Sequence, residues 1–257
     1  MKIVGMIFMI ALGLLLIFVI VPILKKKTNA IKNLTIRKVA DVLKSFNRAG
    51  LPEDYMEVVA LDGFAKATNL YKTPFTKTEV AFVSAKAVQV SEEKENYKDA
   101  DGNNCTRVVN KRENIFDMVL GDSLDFVDDS TGESVVLDMK YVHDLEIKNS
   151  YNEFKEAGLI ELGNFGIQLP INPFGNSILG FELKENTIDN NEHLFIVGAA
   201  YKKGEKIHIT CPKKSSCKFV VTNKQKEEYL KSAGKSNMAL IILGIFLIVT
   251  GIVIGII

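Results

Sequence analysis

Two uncharged stretches, residues 3–24 and 238–257, occupy the ends of this chain, and apart from Lys2 every Asp, Glu, Lys and Arg lies between Lys25 and Lys235. An α-helix rises about 1.5 Å per residue, so about 20 apolar residues cross a hydrocarbon core of about 30 Å. Both stretches reach that length. A core helix of a soluble protein needs polar positions for its solvent face, which these stretches do not offer in any period. The expectation is two transmembrane helices, residues 1–24 and 238–257, with a soluble middle of roughly 210 residues between them. The first stretch is longer than the apolar run of about 7–15 residues in a signal peptide, and Lys25-Lys26-Lys27 follows it without an Ala-x-Ala cleavage site. It is expected to be retained.

The basic residues vote on orientation. Lys25, Lys26, Lys27, Lys32, Arg37 and Lys38 follow the first stretch, and Lys224, Lys226, Lys231 and Lys235 precede the second. Basic residues near span ends stay on the cytoplasmic side. Both flanks therefore place the middle in the cytoplasm, in a two-pass integral membrane protein. The net charge, +1, adds little. The second stretch carries Gly251-x-x-x-Gly255, and small residues at that spacing let two helices approach closely, as a homo-oligomer would use them.

Within the juxtamembrane segment 25–50, residues 29–48 read as one amphipathic helix, with Ile31, Leu34, Val39, Val42, Leu43 and Phe46 at three-to-four spacing and Gly50 and Pro52 as its stop. Such a helix lies either on its own domain or, through Lys32, Arg37, Lys38, Lys44 and Arg48, on the membrane surface.

From there the period changes to two. MEVVALDGFAKA (56–67), EVAFVSAKAVQV (79–90), NIFDMVLGDSLDFV (114–127), SVVLDMKYVH (134–143), HLFIVGAAY (193–201), KIHIT (206–210) and KFVVT (218–222) are β-branched and aromatic runs bounded by turns such as DDSTGE and KKGE. The fold class expected is α+β: a single, mainly antiparallel β domain over 51–237, sandwich or barrel-like, between the two transmembrane helices. A second helix is predicted over 223–233, stopped by Gly234. The polar stretch 91–114 reads as a long exposed hairpin connection.

These runs, in order, resemble the GIDE (or BAM) domain of membrane-anchored, ubiquitin-ligase-related proteins. The resemblance rests on a glycine-bearing strand (Gly63), a Thr-Pro element (Thr73, Pro74), an Asp-x-Thr-Gly hairpin (Asp129, Thr131, Gly132) and a Glu-rich strand (Glu185) leading to an apolar strand with Gly198. It spans about residues 56–230 and includes the flanking apolar stretches. The chain departs from the family where a cysteine is frequent after the Thr-Pro element, since Thr78-Glu79-Val80 stands there. In the ligases of the family a zinc-binding RING follows the second span, and a RING needs about eight Cys or His ligands, four per zinc. The chain has three Cys and three His, with no residue after the second stretch. The resemblance thus implies an interaction or regulatory module like the non-catalytic part of membrane ubiquitin ligases, without ligase activity of its own.

No other enzyme signature is present: the sequence has no G-x-S-x-G, P-loop, H-E-x-x-H or G-x-G-x-x-G. His208, Cys211 and Cys217 lie close together in HITCPKKSSC, but a zinc site needs a fourth ligand. Cys211 and Cys217 could instead pair across a hairpin, which an oxidising compartment would require and a cytoplasmic middle would not supply. DADGNN (99–104) resembles the start of a calcium loop, yet Asn110 stands where the bidentate Glu belongs, and a solvated hairpin tip is expected. His143 and His193 are expected as exposed strand ends. No catalytic residue, metal, cofactor or nucleic-acid partner is expected; the partners expected are the lipid bilayer and a protein at the membrane. The other function class is a membrane protein sensing a small ligand or a lipid head group, with Phe165 and Phe174 in the loop LGNFGIQLPINPFGNS as a partner- or membrane-contacting tip or as core plugs.

Overall fold

A computed structural model of the 257-residue chain describes residues 2–48, 50–52, 54–99, 102–128, 132–142, 144–156, 177–212 and 218–256. In chain order these form α1 (Lys2–Leu15), a π-helical turn (Leu16–Ile20), α2 (Val21–Asn33), β1 (Ile36–Arg37), α3 (Val39–Phe46), β2 (Met56–Lys66), β3 (Tyr71–Lys72), β4 (Glu79–Val80) and β5 (Phe82–Lys98). They continue as β6 (Asn104–Leu120), β7 (Ser123–Val127), β8 (Ser134–Asp138), a 3-10 turn (Met139–Tyr141), β9 (Asp144–Glu146), β10 (Lys148–Glu156) and β11 (Ser177–Ile188). The last elements are β12 (His193–Lys203), β13 (Lys206–Thr210), β14 (Val220–Thr222) and α4 (Lys226–Ile256).

Two of these helical stretches, 4–33 and 226–255, are long and apolar enough to cross a membrane. The first is continuous through the π turn, where the Val21 N–H donates to the Leu16 carbonyl. Pro22 follows immediately. Proline has no N–H to return to Phe18 and crowds that carbonyl, and one wider turn relieves the clash without ending the helix.

The chain divides into two compact units. The first holds residues 1–64, 127–146 and 193–257; the second holds 65–126 and 147–192. In the eight-stranded sheet the order is β1-β2-β7-β8-β13-β12-β14-β9, and β2 pairs in addition with β12. Five strands, β2-β7-β8-β13-β12, therefore close on themselves, which makes the fold a small barrel and not a sandwich. The β2–β12 seam is antiparallel over nine residue pairs, from His193↔Phe64 to Tyr201↔Met56.

Within the first unit, Ala60, Phe195, Val197 and Val220 present one apolar face, and Ile31 of α2 and Tyr229 of α4 pack on it. Ile31 is 1% exposed and Tyr229 5%. Full burial of such a side chain is worth about 1.5–3 kcal/mol, so this face holds both long helices where they leave their apolar portions. The Lys226 ammonium adds hydrogen bonds to the carbonyls of Lys32 and Leu34.

The single amphipathic helix expected over 29–48 is not formed. Leu34 is extended (φ −73°, ψ 132°), Ile36 and Arg37 pair in parallel with Ala60 and Leu61, and a new helix starts at Val39. The apolar residues keep their buried positions, but α2 and α3 divide them, because the backbone groups between the helices are taken by β2. Phe46 and Val42 are buried on the protein itself. The stop expected at Gly234 is also absent, since α4 runs unbroken from Lys226 to Ile256.

The second unit is built on a four-stranded antiparallel sheet, β10-β11-β5-β6, with the small pair β3–β4 beside it in the chain. The polar stretch 91–114 belongs to the paired strands β5 and β6, whose register extends out to Lys98↔Asn104. Its tip is closed by Asp99, whose carboxylate accepts the Asn103 N–H at 2.8 Å, and Gly102 takes the positive φ (+85°) the turn requires. An extra residue, Ile115, bulges from β6 between the pairs Ala87↔Phe116 and Val88↔Asn114.

Candidate functional site

Three glycines of the C-terminal helix, Gly244, Gly251 and Gly255, face the chain's own N-terminal helix. A Cβ on Gly13 would lie 2.6 Å from the Gly244 carbonyl oxygen, and one on Gly244 would lie 2.7 Å from Ile17. A Cβ on Gly251 would lie 2.9 Å from Ile10 and 3.2 Å from the Met6 carbonyl, and Gly255 is backed by the Met6 side chain. Met6, Ile10, Gly13 and Ile17 follow one another at four, three and four residues, so one stripe of α1 and the π turn meets the glycine stripe of α4 in antiparallel sense. Within the chain, Gly251 and Gly255 pack against the first apolar helix.

The Thr-Pro element of the second unit is a tight turn organised around a buried carboxylate. Glu185 on β11 is fully buried. Its Oε2 accepts the Phe75 N–H at 2.9 Å and its Oε1 accepts the Thr76 hydroxyl at 2.6 Å and the Ser150 hydroxyl at 2.9 Å. Pro74 supplies no N–H, so the donors that need satisfying are those after it, and Glu185 meets them. Thr73 closes the turn: its hydroxyl accepts the Thr78 N–H at 2.9 Å, and its own N–H donates to the Thr78 carbonyl. Phe75 then packs on Tyr151 and Phe116, with ring centroids 5.7 and 6.2 Å away. Burial, aided by the hydrogen bond it donates to Glu153, pushes the Tyr151 phenol above its usual range. Three of the family-motif residues, Thr73, Pro74 and Glu185, thus come together from distant parts of the chain.

Gly63 and Gly198 lie on the β2–β12 seam of the first unit, opposite Leu194 and Val59. At Gly198 a Cβ would meet Ile209 at 2.5 Å and Phe219 at 3.1 Å, so glycine is what lets the barrel pack there. Gly132 has φ +70°, in the left-handed region that favours glycine. Asp129, Thr131, Phe165, Phe174, His143 and Cys217 lie outside the described residues. Cys211 is half-buried and carries a free thiol.

Two groupings escaped the sequence reading. Asp128, beside the Asp-x-Thr-Gly hairpin, accepts the Val39 N–H at 2.6 Å and so caps α3 from 89 residues away. Asp138 at the end of β8 accepts the Tyr201 hydroxyl at 2.9 Å and lies 3.0 Å from His208 Nδ1, tying β8, β12 and β13. An aspartate 70 residues from its histidine leaves no sequence signal. His193, at the start of β12, pairs with Asp62. No cluster of three or more His, Cys, Asp or Glu that could hold a metal occurs among the described residues.

The described constellations do structural chemistry: they cap turns and helices, and seat helices on each other. Residues 92–255 match the family model GIDE, described as E3 ubiquitin ligase. Glu185 and Gly198 fall inside the matched segment, whereas Gly63, Thr73 and Pro74 precede it. No curated protein and no solved structure matches the chain. With the match covering more than half of its residues, from the β5–β6 ribbon through α4, the chain belongs to the GIDE family of E3 ubiquitin ligase-related proteins.

Proposed function

We propose that this chain is a two-pass membrane protein whose β units form a cytoplasmic interaction and regulatory module, resembling the non-catalytic part of membrane ubiquitin ligases. The observation that carries the reading is the seating of Ile31 and Tyr229 in the first unit's core. It makes the two apolar helices structural continuations of the GIDE region, which suits a module presented at a bilayer in a fixed pose. The lysines that flank the inner ends of both helices support a cytoplasmic position for the β units. The polypeptide itself does not transfer ubiquitin on this reading, because three Cys and three His fall short of the roughly eight ligands of a RING.

A protein partner at the membrane is the occupant proposed for the exposed surface of the β5–β6 ribbon, where Val108 is 57% exposed. Photo-crosslinking residues placed at Val108 and Val119 in native membranes should give a discrete protein adduct. Adducts to lipid alone at both positions would overturn the interaction reading in favour of ligand or head-group sensing. Purified full chain should leave ubiquitin on a loaded conjugating enzyme, and discharge would overturn the non-catalytic assignment.

A further inference from the structure

One face of the first long helix changes character along a single stripe. Ile17, Val21, Lys25, Asn29 and Asn33 follow at four-residue steps, so they stack along the helix at about 6 Å intervals, apolar at one end, cationic in the middle and amide-bearing at the other. Lys26 lies beside Lys25, and Ile241 of α4 forms the opposite wall. Together they line an open groove of about 630 Å³.

Its lining contains no carboxylate. Lys25 and Lys26 are exposed, and among the described residues neither has an ion-pair partner. This distinguishes the groove from the smaller one on the other side of the two helices, where Glu146 is present and already paired with Lys224 at 2.6 Å. The position follows the order of groups in a lipid: hydrocarbon beside Ile17, Val21 and Ile241, a phosphate level with the lysines, and polar head-group atoms within reach of Asn29. Lysine side chains at the end of an apolar helix reach toward that level, where anionic charge is concentrated.

We propose that this groove holds one acidic phospholipid, its phosphate against Lys25 and Lys26 and an acyl chain against Ile17, Val21 and Ile241. The proposal rests on the reading that the two helices span a bilayer. It gives the chain a lipid site on its own helices, separate from the β surfaces.

The test is native mass spectrometry of the full chain released from detergent micelles containing equal amounts of phosphatidylglycerol and phosphatidylcholine with the same acyl chains. Retention of the acidic lipid should exceed that of the neutral one by about tenfold, since each lysine near a membrane surface favours anionic lipid by a factor of several. K25Q/K26Q and K25E/K26E should abolish the preference, whereas K94E/K98E, an equal charge change on exposed β5 positions, should leave it intact. Equal retention of both lipids, or a preference that survives K25Q/K26Q, would overturn the proposal. Alkaline carbonate extraction of native membranes separates the two failures. Release of the chain defeats the spanning reading itself, whereas a chain that stays embedded without lipid preference defeats only the groove.

Discussion

Gly13 and Gly244 bring the two long helices together backbone against backbone, with the Gly244 carbonyl oxygen only 2.6 Å from where a Gly13 side chain would begin. Both are buried in helices whose remaining surface is largely exposed. On the reading that these helices span a bilayer, no hydrophobic effect drives them together in hydrocarbon, and close van der Waals packing of this kind carries the association.

Gly244→Leu should therefore force the helices apart and destabilise the full chain in detergent by about 1–3 kcal/mol, the usual penalty of overpacking. Gly5 supplies the control, since nothing lies within 4 Å of its Cβ position. Thermal unfolding of Gly5→Leu should match the parent, and equal melting of Gly244→Leu would refute the pairing.

Gly234 has the opposite character. It sits inside α4 with open space around it and no positive φ. Gly234→Ala should stabilise the chain by about 0.5–1 kcal/mol through helix propensity and a stiffer unfolded chain. Denaturant unfolding measures it.

Glu185→Ala should strip the Thr-Pro turn of the acceptor for the Phe75 and Thr76 backbone N–H groups and leave those amides without it. The cost is about 3 kcal/mol, within the range for losing hydrogen bonds to a buried charged acceptor. Hydrogen exchange should show the Phe75 and Thr76 amides opening faster, and unchanged protection would contradict the role given to Glu185.

Asp128→Ala removes the cap on α3 and should cost about 1–2 kcal/mol. The loss should appear as faster amide exchange over residues 39–46, whereas Asp128→Asn, which keeps an acceptor oxygen, should recover most of the protection.

On the proposed topology, a membrane-impermeant thiol reagent should leave Cys105 and Cys211 unmodified in intact cells and react after permeabilisation. Modification of either cysteine without permeabilisation would place the β units on the other side and reopen a pairing of Cys211 with Cys217.

The β-branched and aromatic runs were legible by composition: β2, β7, β8, β13 and β14 lie within the runs read from the sequence, whereas β12 continues two residues past its run and β5 continues to Lys98, through part of the stretch read as a hairpin connection. β10, KNSYNEFKE, was not legible, as it is exposed along most of both faces and offers no apolar alternation. β11 was visible only through the family's Glu-rich strand. The break at Leu34 was hidden because helix periodicity continues across it, and the pairing of Ile36 with Ala60 that decides the matter is a tertiary contact. Gly234 misled for a related reason. A glycine is a weak stop, and Tyr229 anchors the turn before it while the apolar stretch extends the helix after it. At the site, Gly251 and Gly255 advertised a pairing face, but which helix fills it depends on Met6, Ile10 and Gly13, more than 230 residues away in the chain. Nothing local could link Glu185 to Thr76 or Asp128 to Val39.

The unbroken course of α4 sets a distance and an angle at once. Tyr229 is locked in the first unit and the apolar stretch starts at Met238, so on the proposed spanning reading about nine helical residues, or about 14 Å, fix the standoff of that unit from the hydrocarbon. Helical residues advance by about 100° each, so the same nine residues also fix the unit's azimuth about the membrane normal. Adding or deleting a single residue between Ala233 and Met238 would turn the helix end by roughly a quarter of a revolution while shifting its height by only about 1.5 Å. A membrane-bound partner reading this surface would then lose its approach through rotation, with its reach almost unchanged.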